Sequence, residues 1–261
     1  MSSASTSTST CTCTSSTSLL LSSNIVDLNN QAVRFMMQGN HDGTVSMLDT
    51  ALSNLKMYQD ATAIDISGVS CHVPLHKHKQ HKLKTLLDRD NSYLCSIPLQ
   101  ALPSFCSCSS STNASLFSLF HRAISLPQCA RMEGNTDRMI AMLLYNMGLS
   151  VHIQATQTGK ASELDGALQL YEMAFAVIED AWGTFEVNDL MLLLLALFNN
   201  MGCIHSSRFD HDKTQLCLDW LKTLAANPIF QAIMHRPEYA PFFMNLLVAL
   251  KQQHHVCAPA A

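Results

Sequence analysis

The densest gathering of reactive side chains in the sequence is Cys71-His72-Val73-Pro74-Leu75-His76-Lys77-His78-Lys79-Gln80-His81. Thiolate and imidazole are zinc ligands, and a closed structural site needs four of them in tetrahedral arrangement. On a helix His78 and His81 would share a face. Pro74 and the interleaved lysines disfavour a closed shell, and Cys95 or the pair Cys106 and Cys108 would complete one only through a distant fold contact. The expectation is a solvated loop with no resident metal, and no cofactor is expected elsewhere. Lys77, Lys79, Lys82 and Lys84 offer a small localisation or anion-binding patch as an alternative use of the same stretch.

Catalysis needs groups that converge. Cys203 and His205 are two residues apart, and on a helix that spacing sends them to different faces, so they do not make a thiolate–imidazole pair. There is no phosphate-cradling glycine loop, no His-Glu-x-x-His and no nucleophile elbow. His152 and His205 each stand near the end of a helical stretch, where a cation suits the helix dipole. Glu172, Glu179 and Asp180 need no role beyond solubility. The chain is therefore expected not to be an enzyme.

The polar residues that do recur are asparagines. Leu144-Tyr145-Asn146-Met147-Gly148 returns as Phe198-Asn199-Asn200-Met201-Gly202, with a looser echo at Leu28-Asn29-Asn30-Gln31-Ala32. A carboxamide donates and accepts at once. Asn30, Asn146 and Asn200 therefore suit either of two tasks: gripping a partner's backbone, or satisfying neighbouring polar groups inside the protein. The small residue two places on, Ala32, Gly148 or Gly202, fits a helix that another helix approaches closely. A mid-helix glycine costs about 1 kcal/mol against alanine and so requires such a packing return.

Composition narrows the setting. At 261 residues with 48% hydrophobic and 14% charged residues, the chain can bury a sizeable core, and a net charge of -4 gives no electrostatic case for nucleic acid or an anionic membrane. The strongly apolar run Leu190 to Phe198 has nine residues, well short of the roughly twenty of a membrane span, and reads as a buried helix. Residues 1 to 18 carry fourteen Ser or Thr and no charge; Leu19, Leu20 and Leu21 are too few for a secretory core, so residues 1–24 read as a disordered tail, with organelle targeting left open. Ten cysteines, several within apolar helical pattern such as Cys203 and Cys217, suit a reducing intracellular, cytoplasmic setting. The sequon at Asn113 would then meet no glycosylation machinery.

Apolar periodicity organises the rest. Asn29 to Gln38 and Thr44 to Lys56 form a helical hairpin around Gly39-Asn40-His41-Asp42-Gly43. Residues 57–136 lose that rhythm: Leu99 to Phe105 reads as an extended stretch and Leu116 to Leu126 as a helix within a long insertion. A second hairpin begins at Asp137, turns through Thr156 to Ser162, and resumes at Ser162-Glu163-Leu164-Asp165 with the look of a capped helix. In the third, Asp189 is placed to cap the helix that runs to Ser206, and Lys213 to Ala226 follows Phe209-Asp210-His211-Asp212. Asn227-Pro228 ends it, Pro241 opens a last helix, and 254–261 is a frayed tail.

These hairpins resemble tetratricopeptide repeats, helix-turn-helix units of about 34 residues. The likeness rests on Leu144, Met147 and Gly148 with Ala167, Tyr171 and Ala174; on Phe198, Met201 and Gly202 with Thr214, Leu218 and Leu221; and on Leu28, Gln31, Ala32 and Phe35 with Thr44, Leu48 and Ala51. It departs from the family in the missing opening tryptophan, in about seven extra residues around Gly159 and in the long insertion. The layout is also similar to tetratricopeptide-like proteins of unicellular algae such as diatoms, a likeness that implies no function.

The resemblance implies an all-α fold: antiparallel hairpins stacked into a short right-handed superhelix over 25–253, with repeats at about 27–56, 137–180 and 189–226, the insertion at 57–136 and a capping helix at 241–252. It further implies a non-catalytic scaffold or adaptor whose concave groove grips a peptide or helix of a protein partner, with Asn30, Tyr145, Asn146, Leu149, Asn199 and Asn200 as partner-binding residues. Ala32, Gly148, Tyr171, Ala174, Gly202 and Leu218 are the structural repeat positions. Some family members clamp a partner's terminal carboxylate with basic residues beside such asparagines. Here those places hold Asn29, Tyr145 and Asn199, and Val33, Leu149 and Cys203, none of them basic. The alternative is a structural or regulatory subunit that touches its partner through the 57–136 insertion. No nucleic acid or membrane partner is expected, and the sequence leaves the oligomeric state open.

Overall fold

Every residue from Ala141 to Ser150 and from Leu190 to Gly202 is buried. A helix covered on all sides must lie between two other layers, and that requirement sets the architecture. The structure, a computed structural model, describes residues 14–66, 95–99, 117–126, 136–181, 187–233 and 235–247.

The chain forms α1 (Thr14–Met37), α2 (His41–Ile66), β1 (Cys95–Pro98), β2 (Arg122–Ser125), α3 (Thr136–Thr158), α4 (Glu163–Asp180), α5 (Val187–Ser207), α6 (His211–Ala225) and α7 (Pro228–Ile233). A 3-10 turn at Pro237–Tyr239 leads into α8, residues 240–247. Helices pair in sequence as α1 with α2, α3 with α4 and α5 with α6, and α2 packs on α3 and α4 on α5, so the hairpins stack. The first helices α1, α3 and α5 make an inner layer. The second helices are outer, and α4 shows it by burying a single stripe, Ala167, Leu168, Tyr171, Ala174 and Ile178. In α6 the stripe is Thr214, Cys217, Leu218, Leu221 and Leu224. The stretch of α5 from Leu190 to Ser207 is long and apolar enough to cross a membrane, yet 83% of it is buried inside the protein.

Turn chemistry closes the hairpins. Gly39 and Gly159 hold φ of 72° and 69°, which a side chain would strain. Asp210 caps α6 by accepting the Lys213 amide. Gly148 stands where an added Cβ would lie 2.8 Å from the Tyr171 ring, so α4 can approach α3 only because that position is bare.

The architecture is mostly helical, as expected, with the addition of a short antiparallel ribbon in which β1 and β2 pair Cys95 with Ser125, Ser96 with Ile124, Ile97 with Ala123 and Pro98 with Arg122. Several expectations are corrected. Leu116 to Leu126, read as a helix, is extended over its described part, 117–126. Helix α1 starts at Thr14, inside the stretch read as a tail, and α2 continues to Ile66, ten residues into the span assigned to the insertion. Ser162 makes no side-chain cap; the turn is closed by backbone bonds from Glu163 to Lys160 and from Leu164 to Ala161. Asp189 lies within α5 rather than before it. The His/Lys-rich run, Cys106, Cys108 and Asn113 lie outside the described residues, as does the end of the capping helix beyond 247.

Candidate peptide groove

The second cover over the inner helices is the chain itself. Residues 117–126 run extended along α8, α5, α3 and α1 in that order, antiparallel to the helix succession, and are held mainly by asparagines. Asn245 donates from Nδ2 to the Ser118 carbonyl at 2.8 Å and accepts the Ser118 amide at 3.3 Å. Asn200 does the same to Phe120, at 3.3 and 2.9 Å. Asn146 grips Ile124 at 2.7 and 2.9 Å, and Asn30 grips Leu126 at 2.9 and 3.0 Å. At the remaining even position the Tyr145 hydroxyl donates to the Arg122 carbonyl at 3.0 Å.

This regularity follows from strand geometry. In an extended chain the N–H and C=O of one residue point to the same edge, and successive residues alternate edges. The Leu99 amide donates to the His121 carbonyl at 3.1 Å, so the odd residues of the segment face β1 and the even ones face the helices. A carboxamide presents a donor and an acceptor side by side and so takes the place of a neighbouring strand. The main chain of this stretch is thus addressed from both edges, which is how a buried backbone must be treated.

A second tier orients the first. Asn29 accepts from Asn146 Nδ2 at 2.9 Å and donates to the Ile124 carbonyl at 3.1 Å. Asn199 repeats this beside Asn245, accepting at 2.6 Å and donating to the Ser118 carbonyl at 2.9 Å. Asn29, Asn146, Asn199 and Asn200 are fully buried, so each carboxamide depends on these bonds to offset its desolvation. Burial also pushes the Tyr145 and Tyr171 hydroxyls up in pKa, keeping Tyr145 a donor.

Side chains of the segment fill specific places. Phe117 lies against bare Gly202, where an added Cβ would sit 2.9 Å from its ring. The space at Gly202 therefore admits the segment rather than a helix, a correction to the reading of that position. Phe120 packs on Phe242 with ring centroids 4.3 Å apart. Ala123, Ile124 and Leu126 are buried, whereas Ser118 and His121 are exposed.

Of the residues assigned to a partner, Asn30, Tyr145, Asn146, Asn199 and Asn200 are brought together on one line of the inner face, and all of them bind the chain's own segment. Leu149 is fully buried in the core. Asn245 went unread, although Phe243 stands two residues before it as Leu144 and Phe198 stand before Asn146 and Asn200. The repeat positions Ala32, Tyr171, Ala174 and Leu218 are all buried. His152 is not the cation that its helix end suggested: burial lowers its pKa to about 4, and it is neutral beside the Tyr171 hydroxyl, 3.4 Å away. Burial lowers His205 as well, against the opposing pull of Asp210.

Among the described residues, no three His, Cys, Asp or Glu side chains gather as a metal site. No protein-family model, curated protein or solved structure matches the chain; the paired helices are consistent with a generic helical-repeat fold.

Proposed function

We propose that this chain is a non-catalytic, intracellular adaptor, a tetratricopeptide-like right-handed superhelix whose inner face takes an extended polypeptide of a protein partner. The observation that carries this reading is the ladder of Asn30, Asn146, Asn200 and Asn245, each bonding both main-chain groups of one residue. A carboxamide bonded in this way recognises extended backbone and no particular side chain. It is a means of holding a peptide, deployed here from four inner helices in register.

The alternative surface offered by the inserted ribbon is poorer. The outward edge of β1 presents the main chain of Ser96 and Pro98. The Ser96 carbonyl is already taken by Arg122 at 2.8 Å, and Pro98 has no N–H to give. Strand addition there would find little to pair with.

Hydrogen exchange of the chain alone and with a co-purified partner tests the reading. Changed exchange in 117–126 and along the inner faces of α3 and α5 is expected. Changes confined to the outer helices α4 and α6 would overturn it.

A further inference from the structure

The groove is full, and its occupant shows what it would accept. We propose that residues 117–126 are a built-in occupant of this groove, exchanged for a partner segment of the same pattern: an extended stretch with an aromatic at the Phe117 place, a second aromatic three residues on, and a small, an aliphatic and a second aliphatic residue at the places of Ala123, Ile124 and Leu126. The inference rests on the adaptor reading above and specifies its ligand.

Three observations support exchange. The asparagine bonds are to main-chain atoms, so another chain of the same shape satisfies them equally. Selectivity then falls to the places where side chains enter: the bare Cβ position of Gly202, the Phe242 ring and the buried sites of Ala123, Ile124 and Leu126. His121 is exposed, leaving that position of a ligand unconstrained, whereas the Ser118 hydroxyl donates to Asn245 Oδ1 and favours a hydroxyl residue there.

An emptied groove is not an alternative resting state. It would strip Asn146, Asn199 and Asn200 of their main-chain partners on the segment and would bare the apolar inner helices. The segment is therefore replaced by a like segment and does not simply leave. A tethered occupant has an effective concentration of about 1 mM, so against an intrinsic Kd of about 10 µM it weakens a free competitor about 100-fold.

The test uses the full chain and a labelled synthetic peptide copying residues 115–128. Anisotropy is measured with wild type and with a variant whose own segment is weakened, Phe117→Ala with Phe120→Ala and Ile124→Ala. The weakened chain is expected to bind the peptide about 100-fold more tightly than wild type, and not to bind the same peptide carrying Phe120→Pro and Ile124→Pro, which lacks the two amides that Asn200 and Asn146 accept. Equal binding by both chains overturns the gating role while leaving a peptide groove intact. Binding by neither, or a weakened chain that no longer folds by circular dichroism, shows the segment to be a fixed part of the core and overturns the exchange. A wild-type chain that elutes as a dimer with swapped segments assigns the groove to a second copy, and also overturns it. Failure of the adaptor reading shows separately, in the exchange pattern with a native partner.

Discussion

Asn146 and Ile124 exchange two hydrogen bonds, at 2.7 Å from the carboxamide nitrogen and 2.9 Å to its oxygen, across 22 residues of sequence. One side chain of α3 thereby does for Ile124 what a neighbouring strand would do, because the extended form points both main-chain groups of Ile124 to the same edge.

Removing that side chain leaves the buried Ile124 amide without its acceptor, leaves the Ile124 carbonyl with Asn29 as its remaining donor, and strips Asn29 of the donor to its own oxygen. Asn146→Ala is expected to lower unfolding stability by about 2–4 kcal/mol in chemical denaturation, on the scale of unsatisfied buried groups. Asn54→Ala, at an exposed contact with Asn24, is expected to cost less than about 0.5 kcal/mol. Equal losses would show that the ladder bond is not made.

Gly148 and Gly202 occupy matching places in two repeats but admit different rings. Both Gly→Ala changes should destabilise by about 1–3 kcal/mol, overcoming the helix-propensity gain. The partner distinguishes them. Phe117→Ala should relieve most of the Gly202→Ala loss and none of the Gly148→Ala loss, as a double-mutant cycle would register.

The repeated phrase made Asn30, Asn146 and Asn200 legible because the same side chain returned at the same offset from an apolar residue. Asn245 escaped because Leu247 stands where Ala32, Gly148 and Gly202 stand, which hid the phrase. The hairpins were legible from periodicity, since α4 and α6 each bury one stripe. The segment was misread for the same reason: Leu116, Phe117, Leu119, Phe120, Ala123, Ile124 and Leu126 fall at helical spacing. Local pattern there yields to partners supplied from helices up to 127 residues away, and no local signal encodes that. Whether an asparagine serves a ligand or the fold was open from sequence for the same reason, its acceptors being distant in the chain.

Burial holds the folded His152 pKa at about 4, below the 6.5 of an unfolded histidine. The unfolded chain therefore takes up the proton first, so the stability of the neutral buried ring is fully present above pH 6.5 and is lost as pH falls toward 4. The loss approaches about 3 kcal/mol. Denaturation at pH 7.5 and pH 4.5 should show a smaller drop in His152→Gln than in wild type. Identical pH dependence would contradict a buried neutral ring.

Burial likewise pushes the Cys217 thiol up to about 12, while Cys95 is exposed. Maleimide labelling at pH 7.5, mapped by mass spectrometry, should modify Cys95 in the native protein and Cys217 only in denaturant. Native labelling of Cys217 at a comparable rate would place α6 away from the core.

The central claim is that 117–126 lies in the groove with the main chain of Ser118, Phe120, Ile124 and Leu126 held by asparagines. Residue-resolved amide hydrogen exchange measures this directly. The amides of Ser118, Phe120, Ile124 and Leu126 should exchange far more slowly than an unstructured peptide, and Asn146→Ala should release Ile124 first. Exchange of all four amides at the unstructured rate in the wild-type chain would contradict the account.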